Sequence, residues 1–150
     1  MTFLDSGAFI ALWLTQDGQH GAATKALGVI KEEGGRLCTS NFVLDEVVTF
    51  VGRRAGATFA ASKARGVLES KVLSVLRPDA DDERAALALY EKFADAGVGF
   101  TDAVSFALMR RYRVRRAFTF DRHFGLAGFT LFPGTERAKW KTNPLPRAVL

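Results

Sequence analysis

The feature that most constrains this chain is a repeated event: a short apolar, strand-like run that stops on an acid. "MTFL" breaks on Asp5 before "SGAFIALWL" begins, and "RAFTF" breaks on Asp121 in "FTFDRHF". Between these two points strand-sized runs alternate with helical periods. "RLCTS", "VLSVL" and the later "GFTLF" read as strands, whereas "SGAFIALWL", "HGAATKALGVIKEEG", "NFVLDEVVTFVGRRA", "GATFAASKARGVLESK", "DADDERAALALYEKFADAG" and "TDAVSFALMRRY" read as helices. Short apolar strands separated by helices predict an α/β fold, with a central parallel sheet flanked by helices on both faces. In such sheets ligands bind beyond the carboxyl ends of the strands, so acids that end strands converge there even when far apart in the chain.

Size and charge narrow the class. A chain of 150 residues, 48% hydrophobic and 25% charged, suits one domain with a real core rather than a disordered segment. We place that domain at residues 1–132. Residues 133–150 hold three of the four prolines and several cations without a clear period, and read as an exposed C-terminal extension. The net charge of +5 is a common footprint of proteins that meet polyanions. Cys38 is the single cysteine, which excludes an internal disulfide and fits a reducing compartment; its bland reading is a small buried hydrophobe. The N-terminus lacks a secretory pattern, and no apolar run approaches the roughly 18 residues of a membrane span. The expected location is cytoplasmic, with no membrane partner.

Two further acids join Asp5 and Asp121. Asp102 follows Thr101 at a helix start, where an acid also favours the backbone dipole. Its neighbours in "GVGFTDAVSF" are mostly apolar, however, which is unusual for a merely solvated cap. In "NFVLDEVVTF", helical geometry of about 100° per residue puts Asp45 with Asn41, Thr49 and Gly52 on a polar side. Glu46 falls between Phe42, Val43 and Phe50. A carboxylate among such neighbours requires a positive partner, and an ion pair with Arg53 is the alternative that periodicity leaves open. Four carboxylates at one crevice would repel one another and raise their own pKa values unless a cation entered. Oxygen-only donors favour magnesium or manganese, and such a site suits phosphodiester hydrolysis. A basic surface would then hold the nucleic-acid backbone that the acids repel.

The remaining polar residues read more plainly. His20 and His123 share no zinc-type spacing; His123, close behind Asp121, could touch substrate, but is expected to be a surface or packing residue. "RRYRVRR", residues 110–116, could hold phosphates or simply complement the dipole of the preceding helix. Ser6 and Thr101 are placed either to hydrogen-bond the adjacent acids or to cap helices.

"FLDSGAFIAL" with Asp5, "TSNFVLDEVVTF" with Glu46, "GFTDAVSFALM" with Asp102 and "AFTFDRHFGLAGF" with Asp121 resemble, in order, the four acidic motifs of PIN-domain nucleases. The likeness covers roughly residues 1–132, and the compact form is most similar to the toxin half of VapBC toxin-antitoxin pairs. The resemblance implies a magnesium-dependent endoribonuclease, often a homodimer, inhibited by a cognate antitoxin. Carried over, Asp5, Asp102 and Asp121 would hold the metal, while Glu46 would activate water or support the ligands. Two rivals come from other classes. An aspartate-nucleophile phosphatase would need an acid two residues after Asp5, where Gly7 stands. A non-catalytic RNA- or protein-binding module would not need all four acids.

Overall fold

The computed structural model describes residues 1–134. Five strands form one sheet: β1 (Thr2–Leu4), β2 (Leu37–Ser40), β3 (Leu73–Leu76), β4 (Arg116–Phe118) and β5 (Thr130–Phe132). Seven helices accompany them: α1 (Ser6–Trp13), α2 (His20–Glu32), α3 (Asn41–Ala55), α4 (Ala57–Leu68), α5 (Ala80–Lys92), α6 (Phe100–Arg111) and α7 (His123–Leu126). Every strand pairing is parallel, in the order β3-β2-β1-β4-β5. The chain therefore marches outward from β1 through β2 to β3, then returns to the other side of β1 to lay down β4 and β5. Helices connect the successive strands and flank the sheet, as expected of a parallel α/β arrangement.

Burial follows position in the sheet. β1 and β2 are buried throughout, whereas the edge strands β3 and β5 are partly open. This is why the central strands read as continuous apolar runs rather than alternating ones. Phe106 on α6 anchors the packing. It meets Phe124, Phe129 and Phe93 at ring-centroid separations of 5.0, 5.7 and 6.1 Å, and joins α6 to α7 and the start of β5.

Local chemistry sets the helix starts. The Ser40 side chain accepts the Val43 amide at 3.1 Å and caps α3. Asp79 and Asp82 form a reciprocal capping box on α5, and Arg111 at the end of α6 bonds to both acids. Two expectations shift. The helix expected to run to Gly97 ends at Lys92, followed by a 3-10 turn at Ala94–Ala96 that Gly97 closes with φ +74°. α7 is an addition to the expected elements, because four residues are too short for a period to show; the Asp121 side chain starts it by accepting the His123 amide at 2.8 Å. Of the expected extension, residues 135–150 lie outside the described residues. No helix among the described residues is long and apolar enough to cross a membrane.

Phe106 is fully buried with three aromatic neighbours, so Phe106→Ala is expected to cost about 3–5 kcal/mol in urea-melt stability. A loss below about 1 kcal/mol would mean that this cluster does not anchor the fold.

Candidate active site

The reversal of strand order between β1 and β4 opens a crevice at the carboxyl ends of those two strands. Asp5 directly follows β1 and occupies the N-cap position of α1, yet its side chain makes no cap hydrogen bond. Its Oδ2 instead accepts the Thr119 hydroxyl at 2.8 Å, across from the end of β4. The same Thr119 Oγ1 accepts the Asp121 amide at 2.9 Å. Thr119 is fully buried, so one hydroxyl fixes both strand-end acids relative to each other.

Asp102 reaches the same place from α6. It stands at the third helical position, and its Oδ2 receives the Gly99 amide only at a long 3.4 Å, so helix-start chemistry accounts for little of its setting. One donor atom each from Asp102, Asp121 and His123 lies within 4.8 Å of the others. Burial pushes the Asp5 carboxyl up to about 7, and the nearby Asp102 and, to a smaller extent, Asp121 add to the rise against the hydrogen bonds from Thr119 and Ser6. Burial likewise pushes Asp102 up to about 7, with Asp121 and then Glu46 reinforcing it. The four acids thus share one electrostatic environment.

Glu46 differs from expectation in its exposure. About one and a half turns into α3, it is solvent-exposed rather than enclosed by Phe42, Val43 and Phe50, because Phe42 and Phe50 pack only partly and do not close over its carboxylate. No ion pair with Arg53 forms among the described residues. Its Oε2 accepts the Ser6 hydroxyl at 2.5 Å, which ties α3 to the start of α1. Ser6 therefore serves Glu46 rather than the adjacent Asp5, and Thr101 makes no side-chain hydrogen bond to an acid among the described residues.

Two contributors lie outside what the sequence pattern singles out. Thr119 reads there as part of a strand, although a hydroxyl inside "AFTFD" has to find a partner once buried. His123, expected at the surface or in packing, bridges the site. Its Nε2 lies 2.9 Å from the Ala96 carbonyl and its Nδ1 lies 2.9 Å from Asp121 Oδ1. The ring thus spans from the Asp121 carboxylate to the turn that precedes α6. Engaged at both ring nitrogens, His123 orients Asp121.

The donor set fits a hard divalent cation. Its acids are carboxylates, two of them pushed towards neutrality by burial and mutual repulsion. None of the four pairs with a Lys or Arg among the described residues, although the chain carries 21 such cations. The buried Asn41 Oδ1, at the carboxyl end of β2, also finds no partner among the described residues.

Residues 2–129 match the PIN domain family model. The chain belongs to the PIN-domain family and, within it, to the VapC-type nucleases. It is 36% identical over 129 residues to the 23S rRNA-specific endonuclease VapC20 of Mycobacterium tuberculosis, covering 86% of this chain and 95% of that protein. The crystal structure of VapC20, described as a sarcin-ricin loop cleaving toxin, superposes with a TM-score of 0.78 at 31% identity, covering 87% of this chain and 97% of that one. A VapC ribonuclease of Archaeoglobus fulgidus is 26% identical over 142 residues, or 93% of this chain and 85% of its own. The structure of VapBC2 from Rickettsia felis on promoter DNA shares the fold, with a TM-score of 0.65 at 14% identity and coverage of 87% and 96%.

The raised carboxyl groups make stability depend on pH in a definite direction. Asp5 and Asp102 hold protons up to about 7 when folded, against an ordinary value of 3.8, so between those values the native state binds more protons. Without metal, the melting temperature is expected to fall as pH rises from 5 to 8, and magnesium or manganese to restore it more at pH 8 than at pH 5. Asp5→Asn removes one repelling charge and should stabilise the metal-free protein at pH 8 by on the order of 1 kcal/mol or more. A metal-free melting curve insensitive to pH over this range would contradict the clustering. Thr119→Val is expected to free both strand-end acids, costing about 1–3 kcal/mol of stability together with weaker metal-induced stabilisation; unchanged metal response would remove Thr119 from the site.

Proposed function

We propose that this chain is a magnesium-dependent endoribonuclease, the toxin of a VapBC-type pair, acting in the cytoplasm as a homodimer restrained by a cognate antitoxin. The observation that carries the reading is the convergence of Asp5, Asp102 and Asp121, without a Lys or Arg counter-ion among the described residues, at the switch point of a parallel sheet. Asp5, Asp102 and Asp121 would hold the cation, with manganese able to replace magnesium. When bound, the ion supplies Lewis-acid polarisation of the scissile phosphate and lowers the pKa of a water molecule.

The protein's own groups do the rest. Thr119 ties the Asp5 carboxylate to the backbone of Asp121, which limits how far the ligands must reorganise on binding. His123 holds Asp121 from its far side. With Glu46 Oε2 committed to Ser6, the other carboxylate oxygen is left to take a proton from attacking water. The family likeness to VapC20 makes an rRNA stem-loop of the sarcin-ricin type the first substrate to try. The net charge of +5 favours a polyanion despite the acidic centre.

The test is cleavage of that stem-loop with magnesium, with EDTA, and by Asp5→Asn and Asp102→Asn. The expected outcome is cutting only by the unaltered protein with metal, with each substitution reducing the rate at least about 100-fold. Cleavage that survives EDTA, or none under any condition, would sink the reading; the second result would favour a binding module.

A further inference from the structure

"RRYRVRR" places five arginines between residues 110 and 116, and the fold divides them into two sets. Arg111 bonds to Asp79 and Asp82, and Arg116 to Glu33 and the Thr2 hydroxyl. These two are structural. Arg110, Arg113 and Arg115 are exposed and make no ion pair among the described residues. The same three line one cleft of about 550 Å³, bordered on its other side by Gly128, Phe129 and Thr130 and lined by no acidic residue among the described residues. Arg110 also donates to the Ala127 carbonyl at 3.4 Å, a bond that leaves most of its guanidinium unused.

Arg113 stands at a backbone position that asks for glycine. α6 ends with Val114 N–H on the Met109 carbonyl and Arg113 N–H on the Arg110 carbonyl, and Arg113 itself has φ +54°. This is a helix stop whose left-handed residue is usually glycine, because a Cβ there is strained. Complementing the dipole of α6 does not require this residue, since Arg110 and Arg111 already occupy the last turn.

The cleft opens at the amino ends of β4 and β5, whereas the acids lie beyond the carboxyl ends. Arg115 and Asp121 are six residues apart, at most roughly 20 Å at about 3.3 Å per residue. A single RNA strand or stem can reach both.

We propose that Arg110, Arg113 and Arg115 form a second RNA-binding site, which grips phosphodiester groups of the substrate remote from the bond to be cut. Guanidinium groups match phosphate in bidentate geometry, and three around one concavity suit a backbone rather than a single base. This rests on the endoribonuclease reading. It gives the enzyme a means to favour long or structured RNA over short fragments, because only the former spans both sites.

The experiment measures affinity for the sarcin-ricin-type stem-loop as salt is varied, in an Asp5→Asn background that leaves the RNA uncut. Each phosphate no longer neutralised by the protein lowers the slope of log affinity against log salt by about 0.7–0.9. Replacing Arg110, Arg113 and Arg115 together by serine is expected to lower the slope by about 2 and the affinity at least about tenfold. Arg113→Gly alone should keep or raise the melting temperature, by up to roughly 2–4 °C, while lowering the slope by about 0.7–0.9. A purely structural role predicts no change in slope. Unchanged RNA affinity and slope in the folded variants would overturn the site, whether or not those variants lose a bound antitoxin. RNA that fails to bind the parent at all would sink the nuclease reading as well, so the two failures are distinguishable.

Discussion

The parallel pairing of β1 with β4, at the point where the chain reverses its march across the sheet, is the constraint on which the site depends. It sets the ends of two strands more than a hundred residues apart side by side. The Thr119 hydroxyl then locks them, accepting from the Asp121 amide and donating to Asp5. Without that register Asp5 would be an ordinary helix cap and Asp121 an ordinary turn residue. With it, both become walls of one crevice, and α6 needs only to deliver Asp102 into the same space.

The site is held together by groups that give up stability elsewhere. Asp5 is a good N-cap type whose side chain does not cap. The burial that raises Asp5 and Asp102 opposes their ionisation, and their mutual repulsion opposes it further. Contrast Asp79 and Asp82, which cap α5 and share Arg111. The chain has the means to neutralise acids with arginine, and uses them where the acids are structural. It leaves the crevice acids without such partners among the described residues, which is the arrangement a cation-binding centre requires.

Much of the fold is legible in the sequence because short, mostly apolar, strand-sized runs alternate with helical periods, and "MTFL", "RLCTS", "VLSVL", "RAFTF" and "GFTLF" all contain strands. What the pattern does not show are short elements and long-range partners. α7 spans four residues, too few for a period. The position of Glu46 on α3 follows from helical spacing, but its exposure depends on how tightly Phe42 and Phe50 close over it. The bridging role of His123 is hidden because its partner, the Ala96 carbonyl, is a backbone atom in a turn that no side-chain pattern announces.

The sequence by itself determined the alternation of elements, the acids that end or begin them, and the excess of arginine after α6, since each depends on residues near one another in the chain. Only the tertiary structure decided which of those charges meet. Electrostatic and hydrogen-bonding energies fall off over a few ångströms: strand order brings Asp5 within reach of Thr119, while the packing of α6 on α5 gives Arg111 to Asp79 and Asp82 and leaves Arg110, Arg113 and Arg115 facing one cleft.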